Sequence, residues 1–171
     1  PWDYNLAFGT YALGMTDPIR DPNILINYPI NTPAEGKYMR NRPLYHNLMK
    51  NDAYFAQYHA YFDKLLSEYF ENGRFETTLR QTEALIAPYV QKDPTAFCSY
   101  EDHQLAVDTL SQVCRLRAQS IRGQLQGAFP ATLSGRQENP DAGVDASAVQ
   151  LENLGDFEDL QSAKERQDAA R

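Results

Sequence analysis

Cysteine is scarce in this 171-residue chain: Cys98 and Cys114 are the two present, too few to define a redox compartment. Geometry also disfavours a bridge between them. With a helix opening near Tyr100, Cys114 lies about 20 Å along it at ~1.5 Å per residue. Cys98 reaches back only about 7 Å, whereas bridged Cα atoms approach within roughly 7 Å. Two free thiols are expected, with Cys114 partly buried. Basic residues are outnumbered, 16 Lys and Arg against 23 Asp and Glu, for a net charge of −7. That balance argues against nucleic-acid binding through the phosphate backbone, which needs clustered Lys and Arg. No apolar run approaches the roughly 20 residues that span a bilayer, so no membrane segment is expected. Histidine is sparse too. His46, His59 and His103 fall on separate predicted helices without metal-ligand spacing such as H-x-x-x-H, and are read as structural. No G-x-S-x-G elbow or other nucleophile motif appears.

What is present is a folded body with some excess polar chain: 42% of residues are hydrophobic and 23% charged. Residues 1–40 are aromatic and broken at short intervals by Gly9, Gly14, Pro18, Pro22, Pro29, Pro33 and Gly36, a pattern of loops and short extended pieces. Ile24-Leu25-Ile26-Asn27-Tyr28 reads as a brief strand stopped by Pro29. This segment has too little regular structure to pair its own backbone groups and needs a neighbour.

Residues 41–129 take up helical periodicity. Asn41 and Pro43 open a short helix to about Lys50. Asn51 or Asp52 caps the next, where Tyr54, Tyr58, Tyr61, Leu65 and Tyr69 recur at helical spacing. Phe55, Phe62, Leu66 and Phe70 widen that face, and Asn72-Gly73 ends it. Core packing is favoured over ligand stacking for this stripe. A third helix spans about Arg74 to Gln91, with Phe75, Leu79, Thr82, Ile86 and Tyr89 inward and an irregular last turn at Pro88. Ser99 to Asp102 forms a capping box for a long helix lined by Val107, Leu110, Cys114, Ala118, Ile121 and Leu125. Gly127 and Pro130 stop it. Arg115, Arg117 and Arg122 on this helix are read as a solvated face. Residues 130–171 are acidic and poor in large apolar side chains, so a flexible tail is expected, with a weak helix near Phe157 to Ala170.

Chemistry enters at the start of the chain. Phosphoryl transfer needs a hard cation beside the β- and γ-phosphates, and Mg²⁺ takes one or two carboxylates with waters and phosphate oxygens. Asp3 supplies a carboxylate, and Asn5 an amide oxygen two residues on. By itself Asp3-Tyr4-Asn5 also fits a plain turn. The stretch Pro1-Trp2-Asp3-Tyr4-Asn5-Leu6-Ala7-Phe8-Gly9 resembles the WD-x-N-x-x-x-G signature of the CotH family, spore-coat H-like proteins with an atypical protein-kinase fold. The resemblance continues through Asn27-Tyr28-Pro29-Ile30-Asn31-Thr32-Pro33 and Arg42-Pro43-Leu44-Tyr45-His46-Asn47-Leu48-Met49. Leu85-Ile86-Ala87-Pro88 and the Arg117–Leu125 helix extend it, covering about residues 1–126.

The resemblance implies a mainly α chain, the C-lobe portion of an atypical protein-kinase-like fold. A short strand and loop segment is followed by a cluster of three to four amphipathic helices. It further implies an ATP- and Mg²⁺-dependent kinase acting on protein Ser or Thr, with Asp3 as the metal aspartate and Asn5 at a motif position. The phosphate-anchoring Lys, its Glu partner and the catalytic Asp are expected upstream of Pro1, so the 171-residue chain is expected to be inactive by itself. Protein substrates among spore-coat or surface proteins, and a spore-coat or cell-surface location, follow from the same resemblance. Two alternatives stand beside it: a non-catalytic assembly factor with the same fold, and a phosphotransferase acting on a small molecule.

Overall fold

The computed structural model of the chain describes residues 21–33, 43–96 and 98–155. Six α-helices run through them, α1 (Pro22–Ile26), α2 (Pro43–Leu48), α3 (Asp52–Leu65), α4 (Arg74–Val90), α5 (Tyr100–Leu125) and α6 (Leu133–Glu138). A π-helical turn, Leu66–Phe70, continues α3, and a 3-10 turn, Leu151–Leu154, closes the described chain. No strand occurs among the described residues.

Local chemistry accounts for most boundaries. The Asn51 side chain accepts from the N–H groups of Ala53 and Tyr54 and starts α3. Ser99 and Asp102 satisfy each other's backbone N–H groups and open α5 as a capping box. Gly127 takes a φ of 72° just past α5, a left-handed position that suits glycine at a helix end. The expected strand over Ile24–Tyr28 is instead the end of α1 followed by non-helical chain at Asn27 and Tyr28. Asp21 accepts from the Asn23 N–H at 2.8 Å, and Pro22 stands in the first turn, so an N-cap followed by proline overrides the β-branched composition.

α5 is the axis of the fold. On one side Val113 packs with Ile26, Ala146, Val149 and Leu151. On another, Ala118 and Ile121 pack with Ile30 and Leu66, flanked by Phe62 and Phe70. Each of these larger side chains contributes about 1.5–3 kcal/mol on burial. α4 lies antiparallel to α5, with Arg80 on Asp108 at 2.7 Å and Glu76 hydrogen-bonded by Ser111. Those contacts involve its first half. Thr82, Ile86 (39% exposed) and Tyr89 (76%), expected inward, are exposed. The helix continues through Pro88 to Val90. Along α3 and the π-helical turn, Leu66 is buried and Tyr58 and Phe62 half-buried, whereas Tyr54, Tyr61 and Leu65 are exposed. Only one side of that aromatic stripe meets α5.

Residues 130–155, expected as part of a flexible tail, are packed instead. Ala146, Val149 and Leu151 are small and few, yet they complete the core around Val113 and Ile26. Composition averaged over 130–171 hid them among acidic neighbours; residues 156–171, including the segment expected as a weak helix, lie outside the described residues. Cys98 is exposed, Cys114 buried, and both thiols are free, as expected. No helix among the described residues is long and apolar enough to cross a membrane. Leu151→Ala is expected to cost about 2–4 kcal/mol in urea unfolding. An unchanged midpoint would show that this segment contributes nothing to the core.

Candidate functional site

The loop Asn27-Tyr28-Pro29-Ile30-Asn31-Thr32-Pro33 follows α1 and has no regular structure of its own. Its peptide groups still need partners, and side chains of α2, α3 and α5 supply several of them while the Asn31 N–H donates to the Ala131 carbonyl at 2.9 Å. Arg117 Nη1 donates to the carbonyls of Ile26 at 2.9 Å and Tyr28 at 2.5 Å. The Gln124 amide bridges the same stretch. Its Oε1 accepts from the Ile30 N–H at 2.9 Å, and its Nε2 donates to the Tyr28 carbonyl at 3.3 Å. Ser120, fully buried, donates to Asn27 Oδ1 at 2.9 Å.

Asn27 then ties the loop to residues 143–146. Its Oδ1 accepts from the Val144 N–H at 2.9 Å, and its Nδ2 donates to the Val144 carbonyl at 2.8 Å. One side chain thus pairs with a peptide as a neighbouring strand would. Gly143 permits the approach, since a Cβ there would stand 2.5 Å from Asn27 Oδ1. Asn23 adds a further tie, accepting from the Ala146 N–H at 2.8 Å. From α2 and α3, Tyr58 donates to the Ile30 carbonyl at 2.7 Å and Tyr45 to the Asn31 carbonyl at 3.2 Å. His59 Nε2 lies 2.6 Å from Asn31 Oδ1.

The electrostatics are unusual in one respect: Arg117 is held by carbonyl oxygens and by no carboxylate among the described residues. Burial pulls its guanidinium down to about 10, partly offset by Tyr58, so it stays charged at neutral pH. Desolvation pushes the phenols of Tyr58 and Tyr45 up, keeping both as neutral donors. Burial holds His59 below its ordinary value. Arg117, Tyr58 and Tyr45 are spent on backbone carbonyls and His59 on the Asn31 side chain, so the cluster orients a loop.

Asp3 and Asn5, the expected metal ligands, lie outside the described residues. Among the described residues, no group of three or more His, Cys, Asp and Glu is placed to hold a metal. Arg117 is not part of the solvated face expected of it. Arg122 is engaged as well, bound to Asp63 and to both oxygens of Glu71. Sequence reasoning missed Arg117, Ser120 and Gln124 as a set. The available signal was their i, i+3, i+7 spacing, one polar track on one face of α5.

A protein-family model, CotH kinase protein, matches residues 1–121. The chain belongs to the CotH family. The matched region takes in Asp3, Asn5, the bound loop and Arg117, and ends within α5. No curated protein and no solved structure matches this CotH chain.

Two outcomes test the loop's dependence on these groups. Gln124→Leu keeps the volume but strands the Ile30 N–H, and is expected to lower stability by about 1–3 kcal/mol in denaturant unfolding. His59 takes its proton at lower pH in the folded chain than in the unfolded one. Stability from this group is therefore present above about 6.5 and falls as pH drops through that value toward the folded pKa. His59→Gln is expected to flatten the midpoint between about pH 7 and 5, a window above the carboxylates; the same slope in both proteins would exclude His59.

Proposed function

We propose that this CotH-family chain forms part of a kinase-type domain that transfers the γ-phosphoryl group of ATP to a Ser or Thr hydroxyl of a protein substrate. The observation that carries the reading is the family match, which spans Asp3 and Asn5 and the helical region that holds the bound loop. The donor chemistry suits Mg²⁺, since a carboxylate and an amide oxygen are the hard ligands this ion takes. Bound there, Mg²⁺ would neutralise charge on the β- and γ-phosphates. Asp3 would bind the ion through its carboxylate, with Asn5 beside it. Arg117, Gln124 and Tyr58 hold the Tyr28 carbonyl and the Ile30 peptide groups of the loop downstream of this segment. In this reading the substrates are coat or surface proteins.

The test is radiolabel transfer from ATP by the full-length protein and its Asp3→Ala variant. Loss of about 100-fold or more is expected on removing a group that stabilises transferring charge, with an unchanged melting temperature. Equal transfer by the variant would remove Asp3 from the mechanism. No transfer by the parent protein would favour a non-catalytic assembly role.

A further inference from the structure

Away from the bound loop, a groove of about 820 Å³ runs between the π-helical turn, the start of α4 and the outer face of α5. Clefts that take ligands or peptide side chains span about 300–1,000 Å³. Three phenylalanines, Phe70, Phe75 and Phe129, line it, and all three are only half-buried. The Phe70 and Phe75 rings lie 5.1 Å apart and are tilted by 32°, so they present one broad apolar surface.

The π-helical turn shapes this groove. The Glu71 N–H donates to the Leu66 carbonyl at 2.8 Å, an i to i+5 bond. The wider turn sends Leu66 into the core while Phe70 and Glu71 both reach the groove. Such turns are rare and recur at functional sites.

The charges along the groove are unevenly committed. Glu71 receives Arg122 on both oxygens, at 2.7 and 2.9 Å. Glu76 receives Arg80 at 2.8 Å and Ser111. Arg122 is itself divided between Glu71 and Asp63. Arg115 is exposed and has no hydrogen bond or ion pair among the described residues. The four charged groups lining the groove cancel in number, yet the valence left open is cationic.

We propose that this groove binds a peptide segment presenting an aromatic side chain beside a carboxylate, the ring on Phe70 and Phe75 and the carboxylate on Arg115. A purely apolar partner would desolvate Arg115 without replacing its water, which is unfavourable. A basic partner would meet Arg115 and find both groove carboxylates engaged. An acidic aromatic segment satisfies the rings and the open charge together.

The experiment titrates a fluorescein-labelled octapeptide, one phenylalanine flanked by two aspartates, into the full chain. Two control peptides replace the phenylalanine with serine or the aspartates with lysines. Saturable binding is expected for the acidic aromatic peptide and weaker binding for both controls. Arg115→Glu is expected to weaken that peptide about tenfold and to improve the lysine peptide. Arg115 is exposed, so circular dichroism should show an unchanged fold. Phe75→Ala should also weaken binding. Absence of saturable binding up to roughly 1 mM, or equal affinity of the acidic peptide for Arg115→Glu and the parent chain, would overturn the proposal. Equal binding of the lysine and aspartate peptides to the parent chain would do the same.

Discussion

A loop that carries prolines and no partner strand must hand peptide groups to side chains, and here Arg117 takes the Tyr28 carbonyl of the loop together with that of Ile26 at the end of α1. A guanidinium among carbonyl dipoles loses hydration without a carboxylate to replace it, so good geometry and shared donors have to offset the cost. The rest of the fold is arranged around that requirement. Arg117, Ser120 and Gln124 must face the loop, which sets the rotation of α5 about its axis. That rotation turns Val113 toward Ala146, Val149 and Leu151, and Ala118 and Ile121 toward Ile30 and Leu66.

The same arrangement distributes stability unevenly. In the C-terminal half of α5, apolar packing and hydrogen bonds to buried groups coincide, and removing one partner there leaves another stranded. The far half of α4 has neither. Leu85 and Tyr89 are more than two-thirds exposed, and regions with few buried apolar contacts open at low free-energy cost. Rigidity is thus concentrated at the bound loop, within the region that carries the family match.

Much of the helical layout was legible beforehand, because caps and apolar periodicity act over one or two turns. Asn51, the Ser99–Asp102 box and the α5 stripe were readable for that reason. Local signals failed where short-range preferences compete. At Ile24–Tyr28 the β-branched composition pointed to a strand, but Asp21 and Pro22 form a helix start. The face of α3 that would be covered was also illegible, since aromatics lie on several of its faces and α5 and the bound loop select among them. Of the bound loop, its need for a neighbour was readable. Arg117 was not: an arginine opposite an apolar stripe has the same sequence signature whether it meets water or a buried carbonyl.

Taken alone, the sequence determined the family, the placement of α2 to α5 and the free thiols, all through motifs and spacings within a few residues. Tertiary structure decided what chain distance conceals. Asn27 and Val144 are separated by 117 positions yet pair amide to peptide, and Val149 and Leu151 become core only because Ile26 and Val113 stand opposite them. Burial and hydrogen-bond satisfaction are properties of what surrounds a residue. Local sequence fixes an element's capacity for contact; packing chooses the contact.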